Sequence, residues 1–342
     1  MVCTLFGIRV REHAWLAHRL ELISAVTAPS LLAQQDQHFN WVILVDQSLP
    51  DDIRCGLEEM LKPFGGRALL QSHRGPVSWV NIAREHELSE GHRYLLTGRI
   101  DDDDAWSTSV IDVVRKRAAA WLGRPGRARG LGILFPHGLE WIMYEMLDVD
   151  RLQQRGEHLV YSPAVRTYQA PAISANMFAC TRFVDPVTVM GPESDHARRL
   201  IKRVKSDGET VQTKMPMWLC CRHKQNGSGV RKADGPELNL SLAELAEQFG
   251  LDTRRVQAYL DSADKHQYAI ERSPTNRKAA LAGELVDLAE RIDTCSAGSA
   301  EMLQLRRRQE ELKAEIDKLE VNILGDPESL IGNGAGTRQE HA

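Results

Sequence analysis

The sequence of 342 residues contains no apolar run of the about 18 residues that a membrane-spanning helix needs. Its first segment, MVCTLFGIRVREH, reaches charged residues within nine positions and therefore differs from a secretory signal. The formal net charge of −4 gives no general attraction to nucleic acid or to an anionic membrane. Together these absences predict a cytoplasmic protein without a membrane span.

Cysteine is sparse, and its spacing is irregular. No pair forms a Cys-x-x-Cys motif, which argues against both a disulfide framework and a structural zinc site. We therefore expect reduced thiols. The cysteines are Cys3, Cys55, Cys180, Cys220, Cys221 and Cys295.

Short apolar runs alternate with amphipathic stretches over the first 235 residues. This alternation predicts an α/β fold with a mainly parallel sheet and helices on both faces. The predicted strands are Val2–Val10, Trp41–Asp46, Arg67–Gln71, Tyr94–Ile100, Gly132–Pro136, Glu140–Leu147, Ala175–Cys180 and Trp218–Cys221. The predicted helices are His18–Gln35, one that begins at Pro50, Ser107–Leu122 and Asp195–Val204.

The chain is too long for one small core and suits one large domain with appendages. We predict the large domain over residues 1–235 and a small helical unit over residues 236–265. A coiled coil or helical hairpin is expected over residues 279–325. Residues 326–342 are polar and rich in glycine, which predicts a disordered tail.

Four consecutive aspartates, Asp101–Asp104, follow directly on a predicted strand. Ligands bind at the carboxyl edge of an open parallel sheet, where this acidic run is expected to lie. Neighbouring carboxylates repel by roughly 2–3 kcal/mol at an effective dielectric constant of about 20, so the cluster needs either solvent or a cation. If the segment stayed extended, Asp101 and Asp103 would share one side of it. The alternative is a solvated loop that caps the helix near Ser107.

Three segments carry a resemblance to a known family. In Pro29–Asp46, a helix with a Gln near its end is followed by a strand with a terminal Asp. Arg99–Ala105 is similar to an Arg-Leu-Asp-Asn-Asp-Asp-Ala form of the DxD motif, and Met217–Asn226 contains a Trp, a His and an Asn in the family's order. Over roughly residues 4–230 the chain thus resembles the GT-A glycosyltransferases, and specifically a bacterial family of rhamnosyltransferases.

The resemblance implies a GT-A fold, a Rossmann-like mixed sheet with helices on both faces, here followed by a C-terminal helical extension. It also implies roles for individual residues. Asp46 would contact the nucleobase or ribose, and Asp101 and Asp102 would face the nucleotide sugar. Asp101 and Asp103 would bind Mn²⁺ or Mg²⁺, with His223 as a further ligand.

Other roles are less closely tied to the motifs. Arg99 would hold a phosphate or a carboxylate, and Arg9 is a candidate on the nucleotide side. An inverting enzyme needs a carboxylate to take the acceptor's proton, and the candidates are Glu193 and Asp195, with Glu140 as an alternative. Glu193 and Asp195 are equally compatible with the start of a helix.

Residues 242–260 have the pattern of a helix-turn-helix around Gly250. Arg254 and Arg255 would open its second helix, where a DNA-binding protein places its contacts. The alternative is a helical hairpin that packs on the large domain.

The segment after residue 299 carries apolar residues at alternating steps of three and four, and residues 281–292 repeat the spacing. This seam predicts either a hairpin within one chain or a coiled coil that forms a homodimer. Ile and Leu at alternate positions favour the dimer. The seam residues are Met302, Leu305, Gln309, Leu312, Ile316, Leu319 and Ile323.

The leading hypothesis is a metal-dependent glycosyltransferase. It would move a sugar, with rhamnose as the candidate, from a nucleotide-diphosphate donor to a hydroxyl on a glycan, a protein or a modified nucleic acid. One alternative is a metal-dependent nucleotidyltransferase or phosphohydrolase, which would be expected to carry more carboxylate ligands. Another is a non-enzymatic DNA-associated scaffold, which leaves the acidic run unexplained.

Overall fold

The computed structural model divides the chain into two compact units, one of residues 1–8, 17–223 and 232–264 and one of the remainder. The predicted site residues Arg9, Glu193 and Asp195 lie outside the described residues, as does the predicted helix Asp195–Val204. The structure describes residues 1–8, 10–73, 77–78, 93–143, 164–169, 177–182, 189–190, 207–223, 235–261 and 299–324, and scattered positions between 278 and 292.

The described elements of the first unit include both strands and helices up to residue 122 and continue mainly as strands after it. The strands are β1 (Val2–Phe6), β2 (Trp41–Asp46), β3 (Ala68–His73), β4 (Val77–Ser78), β5 (Tyr94–Arg99), β6 (Ala105–Trp106), β7 (Gly130–Leu134), β8 (His137–Ile142), β9 (Ala164–Gln169), β10 (Met177–Arg182), β11 (Val189–Met190), β12 (Asp207–Thr210), β13 (Trp218–Arg222) and β14 (Glu237–Leu238). The helices are α1 (His13–Leu22), α2 (Ala28–Leu32), α3 (Asp51–Leu61), α4 (Val110–Leu122), α5 (Leu242–Phe249), an unlabelled helix over residues 253–261 and, in the second unit, α6 (Ala300–Leu324).

The large sheet has the strand order β12-β7-β10-β5-β1-β2-β3. Strands β5, β1, β2 and β3 are parallel to one another, whereas β10 runs antiparallel to both of its neighbours, β5 and β7. Strand β12 is again parallel to β7. The sheet is therefore mixed, which confirms the predicted α/β class.

Burial explains why the centre of this sheet forms as predicted. The side chains of Trp41–Val45 in β2 are at most 1% exposed, as expected of a strand covered on both faces. Burying an apolar side chain of this size contributes about 1.5–3 kcal/mol. The parallel register of β1, β2 and β5 brings their carboxyl ends to one edge of the sheet.

A second sheet has the order β14-β9-β8-β13-β6. Strand β13 runs parallel to β8 and antiparallel to the two-residue strand β6. A Cβ at Gly138 in β8 would lie 2.1 Å from the Trp218 ring, so this position requires glycine. Because β6 directly follows the acidic run, its pairing with β13 ties the two sheets together there.

The predicted helix His18–Gln35 is a composite. Helix α1 is followed by a π-helical turn, Ile23–Thr27, in which the N–H of Ala28 donates to the carbonyl of Ile23, five residues earlier. Helix α2 then continues through Pro29. A proline clashes with the carbonyl four residues before it in a regular helix, and for Pro29 that residue is Ala25, which lies within the widened turn.

The predicted small helical unit contains α5, a turn at Gly250 and a helix over residues 253–261. The side chain of Ser241 and that of Glu244 cap α5 reciprocally, and Gly250 takes the left-handed φ of +66° that ends it. Its buried side chains share one cluster with Leu22, Trp141 and other residues of the second sheet and the composite helix. The unit therefore packs on the large domain, as the alternative to DNA binding predicts.

In the second unit, the described residues of the upstream segment pack on the seam of α6. Leu305 and Leu312 form a buried cluster with four residues of the upstream segment, Leu281, Leu285, Leu288 and Ile292. The guanidinium Nε of Arg308 donates to Glu284 at 3.0 Å. These contacts within one chain support the hairpin, and the homodimer stays a prediction.

Within the described segments, no helix combines the length and the apolar composition needed to cross a membrane.

Truncation of Leu312 tests the buried face of α6. Leu312 is fully buried, whereas Leu303 on the same helix is 61% exposed. We expect Leu312→Ala to lower the free energy of unfolding by about 2–5 kcal/mol, and the control Leu303→Ala to change it by less than about 0.5 kcal/mol. Urea unfolding followed by far-UV circular dichroism measures both, and equal small effects would contradict the packing.

Duplex DNA tests the helical unit. We expect no salt-sensitive complex with the full-length chain, because Nη1 of Arg255 already donates to the carbonyl of Ser24 at 3.2 Å and the unit packs on the large domain. Fluorescence anisotropy with labelled duplex measures binding. A micromolar complex that weakens with salt and with the double change Arg254→Ala and Arg255→Ala would restore the DNA-binding interpretation.

Candidate active site

The acidic run lies at the carboxyl end of β5, the edge at which parallel sheets bind ligands. The segment does not stay extended, because Asp102 and Asp103 form a turn and the N–H of Asp104 donates to the carbonyl of Asp101 at 3.4 Å. The alternation expected of an extended segment therefore does not hold. The turn instead directs the carboxylates of Asp102 and Asp103 toward one partner.

That partner is Arg19 of α1, which sequence analysis did not identify. Its Nε donates to Asp102 Oδ2 at 3.0 Å and its Nη2 donates to Asp102 Oδ1, while its Nη1 donates to Asp103 Oδ2 at 2.9 Å. The three residues are only 5–6% exposed. Two parallel N–H donors on one carboxylate form the strongest geometry that a guanidinium can adopt.

His223, directly after β13, completes the cluster. Its Nε2 lies 2.8 Å from Asp103 Oδ2 and 2.8 Å from Arg19 Nη1. A neutral ring with the proton on Nδ1 accepts the N–H of Arg19 at Nε2, whereas a ring with its proton on Nε2 donates to Asp103. Predicted ligands from two distant segments thus meet, but they meet around a guanidinium.

The charges in this cluster determine its protonation. Burial alone would raise the pKa of Asp103, but the charge of Arg19 and the hydrogen bond with His223 outweigh it and hold that pKa below its usual value. Burial lowers the pKa of His223, and contact with Asp103 does not offset this effect. At neutral pH the cluster therefore contains an ionised Asp103 and a neutral imidazole.

The composite helix also holds the main chain of the acidic run. The hydroxyl of Thr27 donates to the carbonyls of Asp101 and Asp104 at 3.2 and 2.9 Å. Thr27 and Arg19 therefore fix the backbone and the side chains of the same loop from one helical segment.

Gln34 binds the main chain of the segment that follows the acidic run. Its amide donates to the carbonyl of Ser107 at 2.9 Å, and its Oε1 accepts the N–H of Ile111 at 3.1 Å. Arg19, Thr27 and Gln34 thus hold the acidic run and the segment after it from one stretch of the chain. No local sequence pattern identifies this contact face, because the partners lie more than 70 residues away in the chain.

The remaining predicted donor residues lie at the same edge. Arg99 Nη2 donates to Asp101 Oδ1 at 3.0 Å, and the Asp101 side chain is 36% exposed, far more than those of Asp102 and Asp103. Asp46 ends β2, two strands away, and its Oδ1 accepts the N–H and the hydroxyl of Ser48.

Glu140 does not have the surroundings of a catalytic base. It is fully buried and accepts a hydrogen bond from Arg222 Nε at 2.9 Å. A base must come within hydrogen-bond reach of the acceptor hydroxyl, which complete burial beside a guanidinium opposes. Glu193 and Asp195 stay predictions, because they lie outside the described residues.

The predicted Mn²⁺ or Mg²⁺ site can be judged from the protein atoms that would ligate the ion. A metal ion on His223 Nε2 needs the single lone pair of a neutral ring nitrogen, and Arg19 Nη1 already lies 2.8 Å from that atom. Asp101 is engaged by Arg99. No group of three or more His, Cys, Asp or Glu side chains suited to a metal ion occurs among the described residues. The described arrangement therefore does not fit a divalent cation.

A cavity of about 570 Å³ lies elsewhere. Its lining includes Met1, Asn40 and Tyr94, which lie at the amino ends of β1, β2 and β5. Ligands of parallel sheets bind at the opposite edge, which is the edge where the acidic run lies.

Solved structures similar to the chain include glycosyltransferases. Staphylococcus aureus TarS 1–349 in complex with UDP-GlcNAc is 8% identical, with coverage of 94% of this chain and 89% of that one and a TM-score of 0.35. The mannosyltransferase PcManGT from Pyrobaculum calidifontis, in complex with GDP-Man and Mn²⁺, is 14% identical, with coverage of 95% and 87% and a TM-score of 0.33. No curated protein sequence matches the chain at a significant level.

The sequence profile of the family described as "Putative rhamnosyl transferase" matches residues 9–217. The matched region contains Arg19, Thr27 and the whole acidic run, and it ends six residues before His223. Since the match covers more than half of the 342 residues, the chain belongs to the rhamnosyl transferase family and is a glycosyltransferase.

Proposed function

We propose that the chain transfers a sugar, with rhamnose as the candidate, from a nucleotide-diphosphate donor to a hydroxyl acceptor. The observation that carries this proposal is the convergence of the acidic run and His223 at the carboxyl edge of the parallel strands. A crevice outside that edge is where open α/β sheets bind nucleotides.

Exposure separates the residues that can touch the donor from those that support them. Asp101 is the most exposed carboxylate of the run, whereas Asp102, Asp103 and Asp104 are at most 5% exposed. We assign Asp101 to the ribose of the donor, where its carboxylate would accept hydroxyl hydrogen bonds. Asp46, at the end of β2, is assigned to the ribose or nucleobase because it lies at the same edge of the sheet.

The negative charge that develops on the leaving group determines which residues the transfer needs. The leaving nucleoside diphosphate gains negative charge as its bond to the sugar breaks, and a fixed positive charge stabilises it. Arg99 is the candidate for this role, since it lies beside Asp101. If the enzyme inverts, Glu193 and Asp195 are the candidate bases for the acceptor's proton.

Several finer predictions remain outside this proposal. The Mn²⁺ or Mg²⁺ predicted from the sequence is not part of it, because Arg19 lies among the proposed ligands of the ion. The acceptor stays a glycan, a protein or a modified nucleic acid. Cytoplasmic localisation and the homodimer through α6 likewise stay predictions.

Donor binding is the first test of this assignment. We expect at least one member of a panel of nucleoside diphosphates and their sugars to bind the full-length chain in isothermal calorimetry. Asp101→Asn removes a charged acceptor, so it should weaken binding by about 10–10²-fold. The control is Asp112→Asn, a change in α4 at a surface carboxylate paired with Lys116. If no nucleotide binds, or if both variants bind as the wild type does, the assignment fails.

Turnover tests the buried cluster. Asp103→Asn keeps the shape of the side chain but removes the charge that holds Arg19 and His223 in place. We expect kcat to fall by at least about 10²-fold, the scale of losing a positioned electrostatic group, and His223→Gln to cause a smaller loss. Steady-state assays with the bound donor measure both, after circular dichroism has confirmed folding. A fully active Asp103→Asn enzyme would remove the cluster from the mechanism.

A further inference from the structure

We propose that Arg19 is the built-in cation of the acidic run: its guanidinium takes the place of a divalent metal ion between Asp103 and His223. The inference rests on the proposed function in one respect, since it implies that the nucleotide-diphosphate donor binds without such an ion.

The geometry around Arg19 Nη1 is the first ground. This nitrogen lies 2.9 Å from Asp103 Oδ2 and 2.8 Å from His223 Nε2, and those two atoms are themselves 2.8 Å apart. A carboxylate oxygen and an imidazole nitrogen at this separation are a suitable pair of neighbouring ligands for a cation. The guanidinium N–H groups occupy that position, and they carry the positive charge that the carboxylates need.

The second ground is the high free-energy cost of displacing Arg19 from the cluster. Its other two nitrogens, Nε and Nη2, both donate to Asp102, and the side chains of Arg19 and Asp102 are only 7% exposed. Removing one member of a buried ion pair leaves an uncompensated buried charge. This penalty would weaken the binding of a competing ion by about 10²–10⁴-fold.

The third ground is the packing behind the cluster. His18, next to Arg19, is buried, and its ring lies 5.5 Å from the ring of His223 in an edge-on arrangement. The hydroxyl of Tyr259, from the helix over residues 253–261, lies 3.4 Å from His18 Nε2. The small helical unit thus packs against the back of the cluster and holds α1 and His223 at this separation.

Arg19 is accordingly a positioning residue of the site. It orients the carboxylates of Asp102 and Asp103 and the ring of His223. Its distinctive consequence concerns metal affinity. The wild-type chain has no tight Mn²⁺ site at the acidic run, and removal of the guanidinium creates one.

The test is a titration of Mn²⁺ alone into the full-length chain, with free Mn²⁺ read from its electron paramagnetic resonance signal. We expect wild type to bind no Mn²⁺ at micromolar concentration. Arg19→Met should gain one site per chain, at least about 10²-fold tighter than any in wild type. The double variant Arg19→Met with Asp103→Asn should lose that gain. The matched control is Arg255→Met, an exposed arginine outside the cluster, which should behave as wild type does.

Two results would overturn the proposal. One is a micromolar Mn²⁺ site in wild type that Asp103→Asn abolishes, and this comparison decides the matter even if Arg19→Met fails to fold. The other is a folded Arg19→Met chain that gains no site.

Nucleotide binding separates this proposal from the proposed function. Calorimetry with UDP, GDP and thymidine diphosphate should give the same affinity in EDTA as in Mn²⁺. An affinity that EDTA abolishes in wild type overturns the inference and leaves the transferase intact. If no nucleotide binds in either buffer, the proposed function fails, and the Mn²⁺ titration alone decides the role of Arg19.

Discussion

The pairing of Arg19 with Asp102 and Asp103 is the contact on which the rest of the site depends. Transfer of an ion from water to a protein interior costs several kcal/mol, so each of these buried groups is stable only beside the others. The bidentate contact with Asp102 fixes the plane of the guanidinium, and the third N–H then fixes Asp103. The turn after β5 is therefore set by directional contacts as well as by apolar packing.

The loop is held from several directions because short elements meet there. Strand β6 has only two residues, yet its pairing with β13 brings His223 to the acidic run. Thr27 binds two carbonyls of the run, which would otherwise lie partly buried without a strand partner. Thr27 and Arg19 thus hold the acidic run by hydrogen bonds to its carbonyls and to its carboxylates.

Much of the fold could be predicted from the sequence, since local patterns report local structure. The apolar run Trp41–Asp46 coincides with β2, and the acidic run and His223 come together as the resemblance implied. The predicted strand Val2–Val10 is too long, because Gly7 takes a left-handed φ of +58° directly after β1. Short strands such as β6 and β14 have too few residues for an alternation to be detected.

Arg19 was missed for a different reason. An arginine on an amphipathic helix usually extends to solvent, and its partners here lie 83 and 84 residues away in the sequence. No local pattern contains that pairing. Periodicity also fails across the composite helix, because a π-helical turn changes the angle between residues on either side of it. The face shared by Arg19 and Thr27 is therefore not the one that a regular helical wheel displays.

The π-helical turn Ile23–Thr27 makes the site sensitive to the length of this segment. Each residue of an α-helix turns the chain by about 100°, so deletion of one residue from Ile23–Thr27 would rotate Arg19 away from the loop that Thr27 still holds. A substitution in this turn alters a single contact. A change of length would instead separate Arg19, which binds the carboxylates of the acidic run, from Thr27, which binds its carbonyls. We therefore expect a change of length between Arg19 and Thr27 to disrupt the site more than a single substitution there does.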